Sequence, residues 1–323
     1  VEELLHLLRS KYLSTLTNFT PVDLARKIQY FTLDVISTIG FGQPIGDIKA
    51  DADLNDYIAS GEIGLTIVTL SAGLGLTKYL QWPPLARFLG PSENDKTGFG
   101  RMMATARSLI DARLSKPTEG RSDMLASFTR HGLSREDLFS EAILQILAGS
   151  DTTATAIRSI MLYVITHPRV YNKLHSEIDA TVAAGSASGI VQDSVLRDLH
   201  YLQAVVREGL RVHPPVTDVV PKLVPKDGDT VTVAGKQYFL PGGTNISYNA
   251  WGVHHDKAMF GADADFFRPE RWLLEDSESN QERLNAMRRT TEMIFGYGKY
   301  QCLGKPIAWL EITKVVFEVW QLK

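Results

Sequence analysis

One cysteine stands among 323 residues, at position 302. A lone cysteine closes no disulfide within the chain and cannot supply a multi-cysteine zinc site. Charge of one sign is also missing: 34 basic against 37 acidic residues leave −3 at neutral pH, no signature of a nucleic-acid binder. No long hydrophobic run is present. The longest uncharged stretch, Ile63 to Thr77, falls short of the ~20 residues a bilayer-spanning helix needs and carries Gly, Ser and Thr, so a buried helix is expected there. Val1 to Arg9 open inside an amphipathic pattern, without an initiating Met or a signal peptide, and Val319 to Lys323 stop within another. No flavin or nicotinamide fingerprint occurs. What is there is an ordinary globular composition, 44% hydrophobic and 22% charged, with enough chain to bury a core in one or two domains.

Helix dominates the pattern. Helices are expected over residues 1–19, from Thr20-Pro21 to the Phe41-Gly42 stop, over about 54–74, and over 92–114. Ser134 with Asp137 reads as an N-cap with an acidic first turn, opening an unusually long helix that reaches Thr166. Further helices are expected over 169–184 and 198–211, the first ending in the loop Ala184 to Gly189. The one clear β region is a hairpin, 230–233 and 237–240, turning at Ala234-Gly235-Lys236. His254 and His255 are adjacent, and adjacent residues rarely converge on one ion, so a structural or solvated role is expected. Residues 273–294 read as charged and irregular. The fold class is mainly α with a small β region.

Cys302 sits in Phe295-Gly296-Tyr297-Gly298-Lys299-Tyr300-Gln301-Cys302-Leu303-Gly304. Two readings fit a single cysteine: a buried thiol packing as a small hydrophobe, or a thiolate ligand. The neighbours favour the ligand. Gly296 and Gly298 permit turns closed to other residues. Pro306 suits the first turn of a helix that follows, so Cys302 lies at or just before a helix N-terminus, where N–H groups and the dipole favour a thiolate. Gly304 lets a flat cofactor approach, and Phe295 can pack against one face of it.

Within the long helix, Ala148-Gly149-Ser150-Asp151-Thr152-Thr153 is a poor helix-forming string, which suggests a local distortion. One reading is a small-residue helix crossing. The other is a site: Leu144, Ala148 and Thr152 share a face, with Ala148 leaving room above a cofactor and Thr152 placing a hydroxyl there. Glu208 and Arg211, three apart, can pair on a helix face, by default as a solvated pair.

The cysteine stretch resembles the haem-binding loop of cytochromes P450, matching its Phe, Gly, Gly, Cys and Gly in order. It departs at Tyr300, where the family places a basic residue, mostly Arg, against a haem propionate; Lys299 stands beside it. Ala148 to Thr152 resembles the oxygen-activating motif of the long P450 helix. Glu208 and Arg211, taken with Phe267-Arg268-Pro269-Glu270-Arg271-Trp272, resemble the family's charge motifs, which implies a buried network of Glu208, Arg211 and Arg271. Val216 to Val220 resemble a pocket lining, and Lys222 the base that follows it.

The resemblance implies a P450 fold, incomplete, in one domain over residues 1–323, without the anchor, the early helices and the C-terminal sheet. It implies haem (iron protoporphyrin IX) with Cys302 as axial thiolate, and Phe295, Gly296, Gly298, Gly304, Ala148, Lys222 and Lys299 around the cofactor. Asp151 and Thr152 would relay protons to dioxygen. The activity implied is a haem-thiolate monooxygenase inserting one oxygen atom from O2 into an organic, mostly apolar substrate, with electrons from NADPH-cytochrome P450 reductase. A full-length relative would lie at the endoplasmic reticulum membrane. Lys-Tyr-Gln-Cys-Leu-Gly-Lys-Pro has a fungal look, associated with secondary metabolism. The alternatives are a truncated, catalytically inert fragment, or a haem-thiolate isomerase or peroxygenase, against which the Asp151-Thr152 pair argues.

Overall fold

The computed structural model describes residues 1–76, 79, 82–115, 120–185, 189–217, 221–275 and 277–321. The chain divides into two compact units, Val1–Ala154 and Thr155–Gln321.

In the first unit, α1 (Glu2–Lys11) buries Leu4, Leu5, Leu7 and Leu8. It ends at Lys11 and not near residue 19. The Ser/Thr-rich run beyond it bonds to itself instead, Asn18 N donating to Thr15 Oγ1 and Thr20 N to Ser14 Oγ, as short polar side chains compete with helix for backbone groups. α2 (Leu24–Phe41) starts after Pro21 rather than at it, because Asp23 caps it by accepting from Arg26 N. Gly42 closes it at φ 78, the left-handed stop its sequence signalled. From α2, Asp34 accepts from Gly46 N and Ile48 N and fixes the entry to α3 (Asp47–Ala50).

α4 (Tyr57–Gly73) is capped by Asp53, which accepts from Tyr57 N, Ile58 N and Ala59 N. The uncharged run expected to be buried lies largely on this helix and stands exposed at Ile63, Leu65, Ile67, Leu70 and Leu74. Its apolar residues are interspersed with Gly, Ser and Thr and gather no single stripe, so they offer no face to bury. α5 (Pro83–Leu89), α6 (Gly98–Leu114) and α7 (Met124–Arg130) follow. α6 is shorter than expected at its start.

α8 (Arg135–Thr166) opens on a reciprocal cap: Asp137 N donates to Ser134 Oγ at 3.2 Å and Ser134 N to Asp137 Oδ2 at 3.3 Å. The string at 148–153 does not distort it; the α-helix is continuous. The hydroxyls fold back, Ser150 Oγ donating to Ile146 O at 2.7 Å and Thr152 Oγ1 to Ala148 O at 2.8 Å. Gly149 is needed for another reason. A Cβ there would lie 2.7 Å from Ile36 Cδ1, so α2 crosses α8 over a residue with no side chain.

The second unit holds the last turns of α8, α9 (Pro168–Ala183), α10 (Asp193–Asp198) and α11 (His200–Val212). The expected helix 198–211 begins at His200, because Leu199 is extended (ψ 92). The Glu177 carboxylate accepts from Tyr201 N and Leu202 N at this start. Gly209 faces Ile160, into whose Cγ1 an added Cβ would run, so α11 packs tightly on the end of α8.

Two antiparallel ladders follow: β1 (Lys222–Leu223) with β4 (Asn245–Ile246), and β2 (Asp229–Val233) with β3 (Lys236–Leu240). The β2–β3 turn has Ala234 at φ 50 and Gly235 at φ 78, the left-handed pair that matches strand twist. α12 (Ala250–His254) and α13 (Lys257–Phe260) lead to α14 (Glu278–Glu292), a fifteen-residue helix where an irregular segment was expected. It buries Leu284, Met287 and Thr291 and is otherwise polar, too few apolar positions to mark a period. α15 (Lys305–Trp320) ends the described chain. No helix among the described residues is long and apolar enough to cross a membrane.

Candidate active site

The cysteine loop is built by short bonds. Met293 to Phe295 form a 3-10 turn, and Gly296 follows at φ 72 with its N–H on Met293 O. A Cβ on Gly296 would lie 2.7 Å from Tyr300 O, so both backbone conformation and space require glycine. Gly298 (φ 61) opens a second 3-10 turn through Tyr300. Cys302 N then donates to Phe295 O at 2.6 Å and closes the loop. Gly304 caps α15 and Pro306 sits in its first turn, so Cys302 lies two residues before the helix cap.

The thiol is free and exposed, which sets aside the buried-hydrophobe reading. Beside it Leu303 is 94% exposed, and across the loop Tyr297 is 90% exposed. Gly304 has an ordinary φ, and a Cβ there would meet only the Cys302 sulfur, at 3.7 Å. The fold itself does not need glycine at 304. The space it leaves is over the sulfur, which fits a flat group seated on that atom.

Ion pairs and rings brace this loop. Lys305 Nζ lies 5.5 Å from the Phe295 ring centre and 3.4 Å from Glu292. Glu292 also reaches Arg207 at 3.8 Å, and the Arg207 guanidinium lies over the rings of Trp309 and Trp272. Burial pushes the Arg207 pKa down from its ordinary value, against the pull of Glu292. Trp309 Nε1 donates to Gln203 Oε1 at 2.9 Å, tying α15 to α11.

Behind the loop, Glu208, Arg211 and Arg271 form the buried network the sequence implied. Arg211 donates twice to Glu208, at 2.8 and 2.9 Å, and Arg271 Nε donates to it at 2.8 Å. The remaining guanidinium donors go to the carbonyls of His254, Phe260, Asp263, Ala264 and Phe266. Such a group is stable only when each charge is paired and each donor used. Sequence reasoning missed two more donors to Glu208, Arg268 N and Trp272 Nε1, each at 2.9 Å.

His254 and His255 point to different surroundings. His254 Nε2 meets Thr290 O at 3.2 Å, while the His255 ring stacks on Trp251 at 4.2 Å. Among the described residues no group of His, Cys, Asp and Glu is arranged to hold a metal ion.

In the first unit, Leu144 and Ala148 are exposed on α8, with Thr152 partly so. Asp151 Oδ1 accepts from Gln29 Nε2 at 3.1 Å, and Gln29 is buried on α2. No sequence pattern links Gln29 to Asp151. Tyr57, buried beside Ser150, has its pKa pushed up to about 12 by desolvation.

Lys222, Lys299 and Tyr300 come together in the second unit, Lys222 Nζ at 4.0 Å and Lys299 Nζ at 4.9 Å from the Tyr300 ring centre. Of the expected pocket lining, Val216 is exposed and 218–220 lie outside the described residues.

The family model "Cytochrome P450" matches residues 2–321. Cytochrome P450 monooxygenase ABA1 of Pyricularia oryzae is 39% identical over 99% of this chain and 62% of its own length. Cytochrome P450 monooxygenase aba1 of Botryotinia fuckeliana is 37% identical over 99% of this chain and 62% of its own. A crystal structure of a cytochrome P450 superposes with a TM-score of 0.70 at 22% identity, over 99% of this chain and 65% of that one. The chain thus spans about three fifths of the length of the curated relatives it matches. On the family match and the identity to fungal relatives, this chain belongs to the cytochrome P450 family.

Proposed function

We propose that the protein is a haem-thiolate monooxygenase that inserts one oxygen atom from O2 into an organic, mostly apolar substrate. One observation carries the reading: an exposed thiol held at a helix start, with the space over its sulfur kept open by a glycine that the fold does not require. The names of the fungal relatives, each a cytochrome P450 monooxygenase, support the reaction class.

Haem bound at Cys302 supplies the activation of dioxygen, a chemistry favoured by thiolate ligation. The chain supplies the rest. Cys302 would hold the haem through its sulfur, and Phe295 with Gly296, Gly298 and Gly304 would shape its seat. Lys222 and Lys299 would meet the propionates, and by the family resemblance Ala148 would be the small residue that leaves room for the cofactor. Thr152 spends its own hydroxyl proton on Ala148 O, so its Oγ1 lone pairs stay free to accept from a water. Asp151, held by Gln29, exchanges protons as a general acid and base. Electrons come from NADPH-cytochrome P450 reductase. The whole protein works at the endoplasmic reticulum membrane of a fungus, in secondary metabolism.

A second reading is an inert chain that binds haem weakly. The exposed apolar side chains of α4 favour it. One experiment separates the two: reduce the haem-loaded protein, add carbon monoxide and record the Soret region. The expected result is the red-shifted band of a thiolate-ligated haem, abolished by Cys302→Ala. A wild-type chain without that band would be inert. Thr152→Ala is expected to keep the band while oxygen consumption uncouples from product; unchanged coupling removes Thr152 from proton delivery.

A further inference from the structure

Tyr300 stands where the sequence pattern called for a cation, and two cations lie on its ring instead. Lys222 Nζ is 4.0 Å and Lys299 Nζ 4.9 Å from one centroid, within cation–π range. All three residues are exposed, and neither lysine forms an ion pair with a described carboxylate. Two ammonium groups gathered on one ring repel each other, and an anion between or beside them relieves that repulsion.

Each member is held by backbone. Lys222 is in β1, paired to Ile246, and the next turn is fixed by buried Val224, whose N–H bonds Thr244 O. Lys299 and Tyr300 lie in the 3-10 turn that Gly298 opens, and Tyr300 N bonds Tyr297 O. The same turn leads into Cys302. Whatever the lysines grip is therefore at the rim of the seat around the sulfur.

The geometry points to a carboxylate grip in which Tyr300 is a platform that gathers Lys222 and Lys299, one ammonium for each of the two propionates of the porphyrin. The inference rests on the haem reading above and adds Tyr300 to it as a positioning residue. A guanidinium holds a carboxylate with a planar fork. Two ammoniums are point charges that need a wall to fix them, and the ring is that wall.

The test is cofactor retention, not turnover. Haem-loaded protein is mixed with excess apomyoglobin and the rate of haem transfer recorded, for iron protoporphyrin IX and for its dimethyl ester. The wild type should lose the ester at least about tenfold faster than the free acid, the scale of a partly exposed charge-assisted bond. Lys222→Met with Lys299→Met should speed loss of the free acid by a similar factor and leave ester loss unchanged. Tyr300→Leu should act like the double variant, whereas Tyr300→Phe, which keeps the ring, should stay closer to the wild type. Added salt should speed loss from the wild type alone.

Equal retention of acid and ester by the wild type overturns the grip without recourse to any variant. So does wild-type retention in the double variant, or a defect confined to binding of a carboxylic-acid substrate. If the wild type shows no thiolate band at all, the haem reading fails and the grip with it. A normal band with ester-insensitive retention sinks the grip alone.

Discussion

The indole of Trp272 donates to Glu208 Oε2 at 2.9 Å, and the ring of the same residue carries Arg207 on its face at 5.7 Å. One side chain thus joins the buried charge network to the ion pairs that brace the cysteine loop.

Loss of the carboxylate should be far worse than loss of the indole. Glu208→Ala leaves Arg211 and Arg271 buried without their counter-ion and should cost ~3–5 kcal/mol. Trp272→Phe keeps most of the packing and removes one bond to a charged acceptor, about 1.5–3 kcal/mol. Urea unfolding midpoints check the order; equal losses would mean that Trp272 acts by packing alone.

The two loop glycines should separate stability from cofactor. Gly296→Ala must adopt φ 72 and approach Tyr300 O, so a loss of about 1–3 kcal/mol is expected. Gly304→Ala meets only the sulfur, at ordinary contact distance. Its melting temperature without haem should match the wild type while its thiolate band weakens.

Gly149→Ala should cost about 1–3 kcal/mol by overpacking against Ile36. The added Ile36→Ala should recover part of that loss. A double-mutant cycle on thermal stability measures the coupling, and additivity would show that the crossing yields by moving backbone.

Two buried groups set opposite pH trends. Burial raises the Glu311 pKa from 4.5 to about 8, and Glu311 Oε2 has no hydrogen-bond partner among the described residues. Between those values the folded chain binds the proton more tightly than the unfolded one, so stability falls as pH rises. Burial lowers the His254 pKa from 6.5 to about 4, so in that window the unfolded chain binds more protons and stability falls as pH drops. Glu311→Gln should therefore gain in melting temperature over the wild type at pH 8 and show little difference near pH 4.5. A constant offset across that range would rule out the buried proton.

The site was legible wherever chemistry is local in the chain. The glycines and cysteine of 295–304 specify their own turns, and Ser134 with Asp137 specifies a helix start. The charge network was legible only by resemblance, since Glu208 and Arg271 meet through folding. The resemblance put Tyr300 and Lys222 at two propionate positions but did not bring them into contact, because cation–π contact between distant residues leaves no periodic trace. α4 misled because absence of charge is not a direction: its apolar side chains name no face. α14 was missed for the converse reason, since Leu284 and Met287 are too few to show a stripe among charged neighbours.

Because Cys302 is both the sole sulfhydryl of the sequence and open to solvent, it can serve as a gauge of occupancy. A maleimide or similar alkylating dye has one place to react, so label per chain reads out the fraction of molecules whose sulfur is uncovered. The same accessibility leaves that atom open to sulfenic acid formation whenever nothing is seated on it, which makes a reductant during purification a condition for any later loading.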